Sequence, residues 1–166
     1  MPPPRSSDVL LEARSVTAMV MPNPPHIPVI VLELEDGREF TLYNVPFEIV
    51  QALNRLEENS APMQERRETV FDVLADLRSL IEELGRHLEQ VVIDEIDYST
   101  FLYTAKASFN LGGLYMIRRM VPSHAIFLAR LFKKPIYVSK RLVDEQEMYE
   151  RSSSEEGGEE DEDVEP

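Results

Sequence analysis

The chain has 166 residues, a net charge of −14, and neither cysteine nor tryptophan. That length suits one domain with tails, and the lack of cysteine excludes disulfides, thiolate metal sites and cysteine nucleophiles. A hydrophobic fraction of 43% is enough for a core and excludes wholesale disorder.

Residues 1–14 read as a flexible lead, residues 15–150 as the folded domain, and residues 151–166 as a disordered acidic tail. RSSSEEGGEEDEDVEP carries eight acids against one arginine and so holds half of the net charge. Such a segment cannot bury apolar surface to offset its ordering entropy. No apolar run nears the roughly 20 residues that span a bilayer, and the opening MPPPRSSD lacks a secretory apolar region. A soluble cytoplasmic protein with no membrane partner is expected. The acidic balance argues against a general affinity for nucleic acid, while leaving room for a local basic patch.

In chain order, Ser15–Met21 alternates as a first strand, and the prolines of PNPPHIP exclude a helix after it. Val29–Glu35 and Arg38–Tyr43 flank Asp36-Gly37, which predicts a hairpin with a two-residue type I′ turn. Pro46 suits the first turn of a helix bearing Ile49, Val50, Leu53 and Leu56. After the polar loop EENSAPMQ, Val70, Val73, Leu74, Leu77, Leu80, Ile81 and Leu84 form one stripe of a second core-facing helix, stopped by Gly85.

Val91–Ile96 opens a second β region. Phe101 to Phe109 alternates with period two, NLGG turns the chain, and Leu114–Val121 returns it. Pro122-Ser123 opens a helix with Ser123 as its cap, Lys133-Lys134-Pro135 ends it, Ile136–Ser139 is a short strand, and a charged helix follows near Arg141–Tyr149. The order predicts an α+β fold, an antiparallel-rich mixed sheet with three to four packed helices.

Standard phosphate-loop, dinucleotide and nucleophile-elbow motifs are missing. Asp94, Glu95 and Asp97 cluster at a strand end and read better as a solvated turn than as a Mg²⁺ site. Arg118 and Arg119 point to opposite faces of their strand. Lys133, Lys134, Lys140 and Arg141 concentrate positive charge around the last strand, where a lysine-guarded edge is the simpler reading than phosphate contact. His124 sits in the first turn of a helix, where an imidazole can serve as acid or base.

PSHAIFLARLFKKPIYVSKRLVDE resembles the closing segment of the bifunctional nuclease (BFN) domain family, with Pro122, Ser123, Ala125, Ile126, Pro135, Ile136, Tyr137 and Val138 matching its motif. VIVLELEDGREFTLYNVPFE and VVIDEIDYSTFLYTAKASF are similar to the family's strand pairs, in the family's order. The resemblance covers about residues 15–145. It implies an α+β fold and nuclease activity on DNA and RNA. Glu48 takes the place of the family's acidic residue, whereas Arg66, Arg67 and Glu68 stand where the family has Thr-His-Asp, and His124 replaces the aspartate of Pro-Ser-Asp.

On the nuclease reading, Glu48 is metal ligand or base, His124 acid/base with Ser123 orienting it, and Glu48 with Glu68 would hold a divalent metal such as Mg²⁺ or Mn²⁺. The alternative is a non-catalytic interaction protein with the same fold. Apolar residues on both faces of Phe101–Met120 predict a homo-oligomer, a dimer burying part of that hairpin.

Overall fold

The structure is a computed structural model and describes residues 8–57 and 67–156. The first hairpin pairs β2 (Pro28–Leu34) with β3 (Glu39–Tyr43), Leu32 lying opposite Phe40. Its turn differs from the expected two-residue form. Gly37 alone takes a positive φ, +87°, and Leu34 bonds to Arg38 and Gly37, so residues 35–37 form a three-residue loop with glycine in the left-handed position.

β1 (Leu10–Val20) begins five residues before the expected strand, so residues 10–14 belong to the sheet and not to a flexible lead. Its register slips between Ala13 and Ser15. Ala13–Val20 pair with β2 across the slip, and Leu10–Glu12 pair with β7 (Ile136–Ser139). β7 runs parallel to β4 (Leu88–Asp97), followed antiparallel by β5 (Leu102–Asn110) and β6 (Tyr115–Met120). Among the described residues these strands form one seven-stranded sheet, ordered β3-β2-β1-β7-β4-β5-β6. This is the mostly antiparallel α+β architecture that the element order predicts. β7 lies inside the sheet, so its flanking lysines guard no edge.

α1 (Phe47–Leu56) packs on β1, β2 and α4 (Pro122–Leu131), and α4 covers β4 and β5. Ile126 and Phe127 of α4, with Phe40 and Ile93 of the sheet, are fully buried, each worth about 1.5–3 kcal/mol of apolar burial. α4 starts at Pro122 after Val121, so Ser123 is not its cap; proline takes the first helical position, where no N–H is needed.

The expected long helix is broken. α2 (Val70–Asp76) leads into a 3₁₀ turn (Arg78–Ile81) and then α3 (Glu82–His87). Val70, Val73, Leu77, Leu80 and Leu84 face solvent, Leu80 at 77% exposure. Phe71, Leu74 and Ala75 pack inward instead. Thr69 and Asp72 form a reciprocal capping box, and Asp72 also accepts from Arg55 of α1. These bonds fix which side of α2 meets the core. Gly85 lies inside α3 rather than ending it, because a Cβ there would sit 2.2 Å from the Phe132 ring.

α5 (Lys140–Glu156) runs past the expected tail boundary at residue 151; the rest of the acidic tail lies outside the described residues. Arg38 ties it to the first hairpin through Asp144 (2.7 Å) and Glu147 (3.0 Å) while also holding Asp36 (2.8 Å). Those three carboxylates push the Arg38 guanidinium's pKa above its ordinary value. No helix among the described residues is long and apolar enough to cross a membrane.

Candidate functional site

A cleft of about 550 Å³ opens where β1, the end of α1, the 3₁₀ turn and the α4–β7 connection meet. Arg14, Arg78, Arg130, Lys133 and Lys134 line it, against the carboxylates of Glu12 and Glu57. It is a positive concavity on a strongly acidic chain.

Local structure accounts for each cation. Arg14 is the extra residue where Ala13 pairs with Leu34 and Ser15 with Glu33; a bulge of this kind re-aims a side chain off the pleat. The chain leaves α4 through a left-handed residue, Lys133 at φ +55°, and Lys134 N–H donates to the Ala129 carbonyl at 2.7 Å. This turn closes the helix with a non-glycine residue where glycine is usual. Arg130 in the last turn of α4 complements the helix dipole and pairs with Glu57 at 2.7 Å. Among the described residues Arg14, Arg78, Lys133 and Lys134 make no side-chain ion pair or hydrogen bond. Nor does the carboxylate of Glu12, whose backbone N–H is taken by Glu35.

The catalytic and metal candidates read from the sequence lie elsewhere. Glu48 is exposed in the first turn of α1, Glu68 is exposed ahead of the Thr69 cap, and neither lines the cleft. His124 is half-buried, its ring edge-on to Phe71 with centroids 5.3 Å apart. Ser123 is buried and its Oγ has no hydrogen-bond partner, so it does not orient His124; the Phe71 ring packs against the imidazole instead. Among the described residues no three His, Asp or Glu side chains converge as metal ligands do. Glu48, Glu68 and His124 form no such group of three.

The acidic strand end is a salt-bridge network. Lys106 lies 3.0 Å from both Asp94 and Glu95, and Arg119 lies 2.7 Å from Glu95. The Lys106 ammonium holds the Glu95 carboxyl below its ordinary pKa, Arg119 adding to it against a partial burial penalty. Asp97 caps its turn through Ser99. Lys140 pairs with Asp144 at 2.9 Å, and Arg141 reaches the Asp94 carbonyl at 3.2 Å. Of the four cations concentrated near β7 in sequence, Lys133 and Lys134 alone reach the cleft.

Sequence reasoning passed over Arg14 and Arg78. They join Lys133 only through the sheet order and the break after α2. Arg14 carried one faint local signal, a cation interrupting apolar alternation at a bulge.

No curated protein matches the chain. The profile of the bifunctional nuclease domain matches residues 30–151, which includes Arg78, Arg130, Lys133 and Lys134 and begins after β1. With most of its length matched, the chain belongs to the bifunctional nuclease domain family.

Proposed function

We propose that the chain is a nuclease that hydrolyses phosphodiester bonds in DNA or RNA, seating backbone phosphates in the basic cleft. The observation that carries this reading is the convergence of Arg14, Arg78, Lys133 and Lys134 without ion-pair partners among the described residues. Cations gathered in a concavity raise the local concentration of an anionic ligand, and phosphate contacts supply most of a nucleic-acid interface's affinity. The family match supports hydrolysis as the chemistry. A cleft of this size takes part of a single strand rather than a duplex.

Hydrolysis joins a water oxygen to phosphorus and breaks the bond to the leaving oxygen. The water's proton goes to a base, and the leaving oxygen takes up a proton. Arginine and lysine groups stabilise the charge that grows on the phosphoryl oxygens. Glu12 is the carboxylate the cleft offers as base; Glu48 and His124 are the acid–base groups the family resemblance offers.

The test is cleavage of labelled single-stranded and duplex DNA and RNA by purified protein, with Mg²⁺, Mn²⁺ or EDTA. The panel is Glu12→Gln, Glu48→Gln and His124→Ala. Removal of the operating acid or base lowers the rate by about 10²-fold or more. Cleavage indifferent to all three substitutions belongs to a contaminant and ends the proposal. Strand binding without cleavage assigns the cleft to recognition alone. A second reading, a non-catalytic interaction protein with the same fold, is favoured by the solvent-facing apolar side of α2 and the 3₁₀ turn, Val70 and Leu80 above all, a surface suited to a protein partner.

A further inference from the structure

Building on the basic cleft as a phosphate seat, we propose that the hollow beside it binds one unpaired guanine base of the same strand. This shallow hollow, of about 230 Å³, lies between Glu82, Gly85 and Arg86 of α3 and Phe132 and Lys134 just past α4. Lys134 lines both the hollow and the cleft. A strand with a phosphate against Lys134 therefore carries an adjoining base to the hollow. A space of this volume admits one base and not a base pair.

Phe132 supplies the surface on which the base rests. It follows the last residue of α4, half-buried and packed on the margin of the core. The bare backbone of Gly85 lets its ring lie close against α3, and the rest of the side chain lines the hollow. An aromatic ring beside a groove of cations is how proteins hold single strands, each stacked base adding about 5- to 150-fold in affinity. A base within a duplex is already paired and stacked, so the hollow selects unpaired strand.

The polar rim selects which base. Glu82 and Arg86 stand one turn apart on α3 with their charged groups 3.8 Å apart, beyond hydrogen-bonding distance. Among the described residues no hydrogen bond reaches either oxygen of Glu82. Arg86 donates to Glu83 at 3.4 Å and keeps other N–H groups for a ligand. A carboxylate takes two parallel N–H bonds only from a base that offers two donors side by side. Guanine does so, with N1–H and N2–H on its Watson–Crick edge, and its O6 beside them accepts from a guanidinium. Adenine and cytosine present one donor next to an acceptor, and the single donor of thymine or uracil lies between two carbonyls that repel a carboxylate.

The experiment is fluorescence anisotropy on the full chain with four labelled DNA strands of equal length and phosphate number. One carries abasic spacers throughout, and the others repeat TTG, TTA or TTC. The TTG strand binds about 10-fold tighter than the TTA and TTC strands, and the abasic strand binds most weakly. Glu82→Gln, at an exposed position, removes the guanine preference and leaves affinity for the abasic strand as in the wild type. Phe132→Leu, with unchanged circular dichroism, brings the three base-bearing strands toward the abasic one. Equal affinity for all four strands, a guanine preference that survives Glu82→Gln, or base-bearing strands indifferent to Phe132→Leu overturns the base subsite while the phosphate seat stands. Binding of the abasic strand that is indifferent to Arg14→Ala and Lys134→Ala removes the seat, and the subsite with it.

Discussion

Glu57, just past α1, and Arg130, in the last turn of α4, meet at 2.7 Å on the wall of the basic cleft. Arg130 is thereby the one cation of the cleft with an internal counterion among the described residues. Both side chains are about a third or more exposed, so the pair adds little stability. Its larger effect is to withhold a positive charge from an incoming anion.

Glu57→Gln is expected to release Arg130 and tighten single-strand binding at low salt. The slope of log affinity against log salt steepens by about 0.7 per added phosphate contact. Arg14→Ala and Lys134→Ala move both quantities the other way. Fluorescence anisotropy with a labelled single strand over a salt series reads them directly. An unchanged slope across all three variants rules the cleft out as the phosphate site.

Lys133 separates stability from binding. Its left-handed backbone costs a non-glycine residue about 1–2 kcal/mol, a cost that glycine lacks, at some loss of unfolded-state restraint. Lys133→Gly should therefore raise stability by about 0.5–1 kcal/mol in urea titration while weakening strand affinity. A variant both less stable and unchanged in binding contradicts the assigned role.

Gly85→Ala tests a contact invisible from local sequence. Alanine is intrinsically better in a helix by about 1 kcal/mol. The new methyl would nevertheless stand 2.2 Å and 2.7 Å from Cδ1 and Cγ of Phe132, atoms near the root of the ring that cannot swing aside. A net loss of about 1–3 kcal/mol is expected from overpacking. Pairing the substitution with Phe132→Leu should recover part of it, as a thermal or urea double-mutant cycle would show.

Features decided by adjacent residues were legible, and features decided across the sheet were not. The hairpins at Asp36-Gly37 and Gly112-Gly113 rest on turn chemistry, and the family resemblance on contiguous motifs; both agree with the structure. The stripe from Val70 to Leu84 has helical spacing, yet only Leu74 and Ile81 of it pack on the core while Val70, Val73, Leu77, Leu80 and Leu84 face water, because Thr69, Asp72 and Arg55 orient α2 and the helix breaks at Leu77. Gly85 reads as a stop until Phe132, far along the chain, is seen against it. The cleft was hidden for the same reason. Arg14, Arg78 and Lys133 lie on three separate segments, and only the insertion of β7 between β1 and β4 brings them together.

Asp72 links the helical layer to pH. Burial alone would push its carboxyl up, but the Thr69 N–H and hydroxyl, together with Arg55, outweigh it and hold the pKa below the ordinary value. A depressed folded-state pKa contributes stability that is present above the unfolded value, about 4, and is lost as pH falls through the folded one. Asp72→Asn is expected to cost about 1–3 kcal/mol near neutral pH. The gap to wild type should narrow in acid, as thermal melts over a pH series would show. A gap constant across that range means the carboxylate's charge is not what stabilises α2.

Gln146 is the residue that keeps the second sheet edge shut. Its amide holds the Thr41 N–H and carbonyl at 2.9 Å and 2.8 Å, and it is positioned by α5, which Arg38 anchors through Asp144 and Glu147. Gln146→Ala removes both bonds and leaves β3 with an unpaired donor and acceptor, at a cost of about 1–3 kcal/mol if water does not replace them fully. More distinctive is its effect on the edge itself: with Gln146 removed, β3 offers unpaired strand groups to any neighbouring strand. Sedimentation of Gln146→Ala should show a mass that rises with concentration more steeply than that of the wild type. Gln146→Ala that sediments as the wild type does at every concentration would show that the amide serves only to anchor α5.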